Sequence, residues 1–148
     1  EGRRPTIYGD GSQTRDFTYV ANNVQANILA ATTTKEVAGK IINIACGKSY
    51  SVLDLFKAIN DALNFQSSNP SNPSKRSLAT NASGVTNPPI LQSSKPSVLI
   101  EPLFAPARKG DIKHSLADIS LARDLLNYKV EVDFTEGIKR TVKWYFKN

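Results

Sequence analysis

The clearest hydrophobic pattern in the chain lies just after Ser51. Apolar residues recur there at helical spacing on one face, at Val52, Leu55, Phe56, Ile59 and Leu63. A stripe of this width is typical of a helix that packs one side against a core. Ser51 and Asp54 match the capping box, in which each side chain accepts a hydrogen bond from the backbone N–H of the other residue. We therefore predict an amphipathic helix that begins at Ser51.

The same periodicity predicts three more helices. The first takes Asn22 or Asn23 as its N-cap and runs to about Thr33. The second covers residues 118–128, and the third begins at Asp133. The apolar face of the first helix carries Val24, Ile28 and Ala31. The apolar face of the last helix carries Phe134, Ile138, Val142 and Tyr145.

Short extended segments alternate with these helices. Runs of β-branched and aromatic residues predict strands at 6–8, 16–20, 40–47 and 98–100. A turn with two glycines, at 9–11, separates the first two strands. Helices and strands in this order predict a small mixed α/β fold.

One segment has a different composition from the rest of the chain. Residues 67–97 contain 9 Ser, 5 Pro and 4 Asn, and they contain no acidic or aromatic residue. Such a segment cannot bury enough apolar surface to offset the entropy lost on ordering. We predict that 67–97 is a disordered insertion and that 1–66 together with 98–148 form one folded domain.

Composition and charge exclude several classes of protein. The chain has 148 residues, 40% of them hydrophobic, and no apolar run that approaches the length of a membrane span. Its net charge of +6 comes half from 67–97 and half from the last helix, where cations favour the helix dipole. We therefore expect no nucleic-acid or membrane partner.

With a single cysteine, Cys46, the chain has no internal disulfide, which favours a reducing, cytoplasmic location. Because the chain also lacks a Met, we expect it to be a fragment.

The usual motifs of catalysis and cofactor binding are absent from the sequence. There is no Gly-x-Gly-x-x-Gly after a strand, no Gly-x-Ser-x-Gly and no Tyr-x-x-x-Lys. A lone His114 and a lone Cys46 offer no metal-ligand spacing. We therefore predict no catalytic, cofactor-binding or metal-binding residue in this chain. We expect His114 to be a structural hydrogen-bonding residue and Cys46 to be a small buried hydrophobic residue, a reactive thiol being the alternative.

Three charged residues are candidates for binding an anion or a nucleotide. Arg15 follows the glycine turn, and Arg108 lies in a loop that also contains Asp111. Two guanidinium groups suit a diphosphate, which accepts paired hydrogen bonds, and a carboxylate suits the hydroxyls of a ribose. The same residues also suit surface ion pairs, in which Arg15 would bind Asp10 or Asp16.

Three blocks of the sequence, in order, resemble a known family. They are 7–20 (IYGDGSQTRDFTYV), 24–32 (VQANILAAT) and 108–120 (RKGDIKHSLADIS), and a Trp-Tyr pair follows in the last helix. They resemble the substrate half of NAD-dependent nucleotide-sugar epimerases and dehydratases, the extended short-chain dehydrogenases. The likeness is greatest to the branch that acts at C4 of UDP-N-acetylglucosamine and UDP-glucuronate. Where that family often has two acids, this chain has Ala21 and Asn22.

The resemblance implies a two-part enzyme of which this chain is the carboxyl-terminal part. A Rossmann half, missing here, would bind NAD and carry the catalytic Tyr and Lys, and the parent would be a homodimer. Arg15 and Arg108 would then hold the diphosphate of a UDP-sugar, Asp111 its ribose and Tyr8 its uridine end. The fragment alone would be inactive and would expose an apolar patch at Val24, Ile28 and 41–45. The alternatives are a dehydratase or decarboxylase of the same family, and a non-catalytic module that binds nucleotide sugars or proteins.

Overall fold

The computed structural model describes residues 3–68 and 100–147, and within these ranges short strands alternate with helices. The elements in chain order are β1 (Thr6–Tyr8), β2 (Thr14–Arg15), α1 (Val20–Thr32), β3 (Tyr50–Ser51), α2 (Val52–Ser68), β4 (Leu103–Ala105), α3 (Ser120–Leu126) and α4 (Phe134–Tyr145). The predicted small mixed α/β fold is confirmed.

Two small sheets and one isolated bridge connect distant parts of the chain. β1 pairs in parallel with β4, in the register Thr6 with Leu103 through Tyr8 with Ala105. β2 pairs antiparallel with β3, which places Arg15 opposite Tyr50. Thr14 also bridges to His114 in parallel. The first and the last of these pairings hold residues 6–14 beside 103–114.

The core lies where α1 and α3 pack together with the segments on either side. Its fully buried members are Ala26, Ala45, Ile119, Ala122, Leu126 and Tyr128. Tyr128 is the largest of these side chains, and its hydroxyl donates a hydrogen bond to the carbonyl of Ala45 at 3.0 Å. A second contact joins two amphipathic helices, α2 and α4.

The predicted N-cap of α1 is wrong, and the reason is a buried asparagine. The helix begins at Val20, so Asn22 lies inside it with no exposed surface. Its Nδ2 donates to the carbonyl of Val132 at 2.7 Å. Its Oδ1 accepts from the backbone N–H groups of Val132 and Glu131 at 3.0 and 3.2 Å. Asn22 therefore ties α1 to the segment before α4 instead of capping its own helix.

The strand predicted at 16–20 is also wrong. Residues 16–19 belong to no strand or helix, and α1 begins at Val20. The aromatic residues of this run pack on α4 instead, with the ring of Phe17 5.7 Å from that of Phe134 and Tyr19 against Gly137. Aromatic side chains suit packing against a helix as well as they suit a strand. Composition alone therefore did not distinguish the two, and the segment was assigned wrongly.

The strand predicted at 40–47 forms no ladder within the described residues. Ala45 is buried and Ile42 and Ile44 are partly buried against the core, whereas Ile41 is 90% exposed. No strand pairs with this segment in the described parts of the chain. The predicted apolar patch is therefore confirmed at Ile41, Val24 and Ile28 but is wrong for Ala45, which packs inward.

Where a local capping signal marks the beginning of a helix, the structure agrees with the prediction. Ser51 and Asp54 form the capping box, with the Asp54 N–H on Ser51 Oγ at 3.0 Å and the Ser51 N–H on the Asp54 carboxylate at 2.9 Å. Asp133 caps α4 by accepting from the Glu136 N–H at 2.8 Å. The helix predicted at 118–128 is shorter, as α3.

The end of α4 differs from prediction. Tyr145, placed on the inner face by its spacing, is 73% exposed, although it borders an apolar cavity together with Ile59 and Leu63 of α2. The insertion predicted at 67–97 lies outside the described residues, apart from its first two residues at the end of α2. The strand predicted at 98–100 also lies outside them, except Ile100, which is not in a strand. The division into 1–66 and 98–148 stays a prediction.

Among the described residues, no helix has the length and apolar character needed to cross a bilayer.

Replacing Asn22 by alanine should destabilise the fold, because three backbone groups, two of them buried, would lose their partners. We expect the free energy of unfolding to fall by about 2–4 kcal/mol. Urea denaturation followed by circular dichroism measures the change. Asn23→Ala is the matched control, because Asn23 is the exposed neighbour in the same turn. Equal losses in the two variants would contradict the role given to Asn22.

Candidate nucleotide-binding cleft

A cleft of about 370 Å³ opens where β1 and β4 end. Gly9 donates to the carbonyl of Ala105 at 2.8 Å, so the parallel pairing continues into the loops on both sides. Gly9 and Gly11 both have a φ of +76°, which favours glycine over residues with a side chain. The turn between them brings the start of β2 back beside the loop after β4.

The structure brings together all four residues predicted to bind a ligand. Tyr8, Arg108 and Asp111 line the cleft. Arg15 lies beside it on β2, and its Nη2 is 2.7 Å from Oδ1 of Asp111. Its Nη1 donates to the carbonyl of Thr14 at 2.8 Å. Arg15 therefore pairs with a residue 96 positions away, and not with Asp10 or Asp16, the partners expected for a surface ion pair.

Arg108 lies over an aromatic ring. Its guanidinium carbon is 3.7 Å from the centre of the Tyr8 ring, within the range of a cation–π contact. No carboxylate lies within ion-pair distance of Arg108 among the described residues. The five N–H donors of this guanidinium are therefore available to an anion that enters the cleft.

Sequence reasoning missed two side chains of the cleft. Gln13 lines it and donates from Nε2 to the carbonyl of Tyr8 at 2.9 Å, which fixes the loop between β1 and β2. Lys113 adds a second cation to the lining. Both residues lie inside blocks that carry the family resemblance, so their position in those blocks was the available signal. Opposite charge in the cleft comes from Asp10 and Asp111.

Polar residues in and beside the cleft fix the neighbouring segments by hydrogen bonds. Asp10 accepts hydrogen bonds from the side chain and backbone of Ser12, which hold the pKa of its carboxyl below the usual range. Asp16 accepts from the backbone N–H groups of Cys46 and Gly47 at 2.9 and 2.8 Å. His114 Nδ1 lies 3.0 Å from Thr14 Oγ1, so the structural role predicted for His114 is confirmed.

Cys46 is buried, as predicted, and its surroundings disfavour the thiolate. Burial raises the pKa of the Cys46 thiol, and the negative charge of Asp16 raises it further. A reactive thiol requires the opposite environment, with cations or a helix N-terminus nearby. The described residues also contain no group of three or more His, Cys, Asp or Glu side chains placed to hold a metal ion.

Comparison with known proteins places the chain in a family. A model of the GDP-mannose 4,6 dehydratase family matches residues 1–141. Over all 148 residues the chain is 30% identical to a putative UDP-glucose 4-epimerase of Methanocaldococcus jannaschii, and it covers 36% of that protein. The match to the family model extends over most of the chain, so the chain belongs to the GDP-mannose 4,6 dehydratase family.

Solved structures give the same result for the fold. A UDP-N-acetylglucosamine 4-epimerase from Methanobrevibacter ruminantium, in complex with UDP-N-acetylmuramic acid, is 35% identical, with a TM-score of 0.67. A UDP-glucuronic acid 4-epimerase from Bacillus cereus, in complex with UDP-glucuronic acid and NAD, is 28% identical, with a TM-score of 0.63. The chain is covered at 99% and 97% in these matches but spans only 36% and 35% of the two proteins. The chain is therefore about a third as long as these relatives, which process nucleotide sugars.

Cys46 should react slowly with thiol reagents while the chain is folded. Because its pKa is raised in the folded state, Cys46 favours folding below its ordinary pKa and loses that contribution as the pH rises through the raised value. At about pH 8, we expect labelling by a chromogenic disulfide to be at least about 100-fold slower than in urea. Equal rates with and without urea would show that the thiol is accessible in the folded chain.

Proposed function

We propose that this chain is the nucleotide-sugar-binding part of an NAD-dependent UDP-sugar 4-epimerase. The observation that carries the proposal is the convergence of Tyr8, Arg15, Arg108 and Asp111 on one cleft. The two arginines and the acid come from segments far apart in the sequence, yet Arg15 and Asp111 are in direct contact. The membership of the family and the UDP-sugar ligands of two similar structures support the same function.

The diphosphate is the part of the substrate that this cleft suits best. Arg108 has no ion-pair partner among the described residues, and its planar group can donate two parallel hydrogen bonds to one phosphate. Arg15 uses two N–H groups on Thr14 and Asp111, so three of its five donors remain for a second phosphate. Binding energy at the diphosphate would then position the sugar for chemistry elsewhere.

The nucleoside would occupy the other side of the cleft. Asp111 accepts from Arg15 through Oδ1, which leaves Oδ2 to accept from the ribose hydroxyls. Tyr8 and the backbone next to it would border the uridine, and the hydrogen bond from Gln13 keeps that backbone in place. The ion pair between Arg15 and Asp111 thus orients both side chains toward one ligand.

NAD does not fit the described residues of this chain. The glycine turn at 9–11 leads from β1 to β2, not into a helix N-terminus that would hold a pyrophosphate. We therefore assign NAD, and the catalytic Tyr and Lys, to a Rossmann half that the parent protein has outside this chain. We expect that parent to be a cytoplasmic homodimer, and this chain to have no turnover alone.

A second function in the same family is a dehydratase. The family model that matches the chain is named for a 4,6 dehydratase, and such an enzyme would need the same grip on the diphosphate. The cleft described here serves either reaction, because the chemistry at the sugar lies with the other half. A decarboxylase and a non-catalytic binding module are the remaining alternatives.

An exposed apolar stripe supports the assignment to a larger protein. Val20, Val24 and Ile28 recur every four residues along α1 and are 62%, 53% and 58% exposed. Apolar side chains in such a row are costly to leave in water and mark an interaction surface. The missing half of the parent is the partner that we propose for this stripe.

Arg108→Lys should weaken the binding of UDP, because lysine keeps the charge but cannot donate two parallel hydrogen bonds. We expect the Kd to rise about 10-fold, equivalent to about 1.4 kcal/mol. Isothermal titration calorimetry with UDP measures the change. Arg140→Lys is the matched control, because Arg140 pairs with Glu136 on α4, away from the cleft. Unchanged affinity for UDP in Arg108→Lys would remove Arg108 from the site. Separately, turnover of UDP-glucose by the chain alone would overturn the assignment of catalysis to another half.

The isolated chain should self-associate through the α1 stripe, and Ile28→Lys should reduce this association. A charged side chain in the middle of the stripe raises the cost of burying it. Sedimentation velocity over a range of concentrations measures the effect. Asn27→Lys adds the same charge to the same helix without removing an apolar side chain and should change little. A wild-type chain that stays monomeric and binds no apolar dye would contradict the proposed surface.

A further inference from the structure

A second cavity, larger than the nucleotide cleft, lies between β3, the end of α3 and the start of α4. Its volume is about 510 Å³, within the range of small-molecule sites. It shares no lining residue with the cleft that holds Arg108 and Asp111. The proposed nucleotide-sugar function therefore leaves it without a role.

Three of the ten residues that line this cavity are cations. Lys48, Arg123 and Lys129 face it, and none of them is in an ion pair within the described ranges. The one acidic side chain in the lining is Asp133, whose carboxylate already accepts the Glu136 N–H as the cap of α4. The cavity thus carries three positive charges against one negative charge.

Two further acids lie near the cavity without cancelling this charge. Asp118 is close enough to Arg123 to sense its charge, but its carboxylate accepts from Ser120 and forms no ion pair with Arg123. Asp16 is occupied by the backbone of residues 46 and 47. Both carboxylates are therefore satisfied by hydrogen bonds that leave the three cations available.

The lining also contains apolar side chains, among them two stacked rings. The rings of Tyr50 and Phe134 are stacked, with centres 4.1 Å apart and planes at 14°. Tyr128 and Val130 extend this wall, and the Tyr128 hydroxyl is used on Ala45. A ligand in this cavity would therefore meet both aromatic surface and positive charge.

We propose that this cavity is a second ligand site, for a phosphate monoester that carries a small aromatic or aliphatic group. A phosphate monoester has close to two negative charges at neutral pH, which matches the net charge of +2 in the lining. Its apolar group packs on the Tyr50–Phe134 stack, and its phosphate oxygens accept from Lys48, Arg123 and Lys129.

Phenyl phosphate is the probe that tests this site, by isothermal titration calorimetry on the full chain. We expect it to bind, and Arg123→Gln and Lys129→Ala each to raise its Kd at least about 10-fold. Both residues are exposed on the surface, so these variants should fold, and circular dichroism checks that they do. Inorganic phosphate, which lacks the ring, should bind more weakly.

Two control variants distinguish binding in this cavity from non-specific attraction and from binding in the nucleotide cleft. Lys143→Ala removes one positive charge from α4 outside the cavity and should leave the Kd for phenyl phosphate unchanged. If Lys143→Ala weakened binding as much as the cavity variants do, the attraction would be non-specific and the proposal would be overturned. Arg108→Lys should weaken UDP but not phenyl phosphate. Loss of phenyl phosphate binding in Arg108→Lys would place the probe in the nucleotide cleft, and absence of binding to the wild type would also overturn the second site.

Discussion

The parallel ladder between β1 and β4 joins two segments almost a hundred residues apart, and the nucleotide cleft depends on it. Without that ladder and the bridge from Thr14 to His114, Arg15 would have no contact with Asp111, and Arg108 none with Tyr8. Each ladder is only two or three residues long, so hydrogen bonds alone give it little stability. The packing of helices on either side must therefore hold the register that the cleft requires.

Buried polar contacts fix the loops where the helices cannot. Asn22 satisfies three backbone groups just before α4, and Asp16 satisfies two more at the loop that follows residue 45. Each side chain acts across a distance of at least thirty residues in sequence. Because an unpaired buried amide is costly, these contacts select one arrangement of loops over others of similar hydrophobic burial.

Charge is distributed unevenly over the molecule. In the nucleotide cleft, the charges of Asp10 and Asp111 balance those of Arg108 and Lys113. An anion that binds there competes with the ion pair between Arg15 and Asp111, which also orients the site. The second cavity has an excess of cations whose nearby acids are engaged elsewhere. The apolar stripe on α1 carries no charge at all, and it suits a partner surface, whereas the two cavities suit small anions.

Local signals in the sequence determined the features whose partners lie within a few residues. The capping box of Ser51 and Asp54 and the cap at Asp133 join residues three positions apart, and the glycine turn needs only its own backbone conformation, so all were predictable. The residue types of the cleft were also recognisable, through the blocks that contain them. The start of α1, the role of Asn22 and the unpaired segment at 40–47 were decided by tertiary contacts. Their partners are distant in sequence, and a local pattern of apolar and polar residues has no means to specify which distant group a side chain will meet.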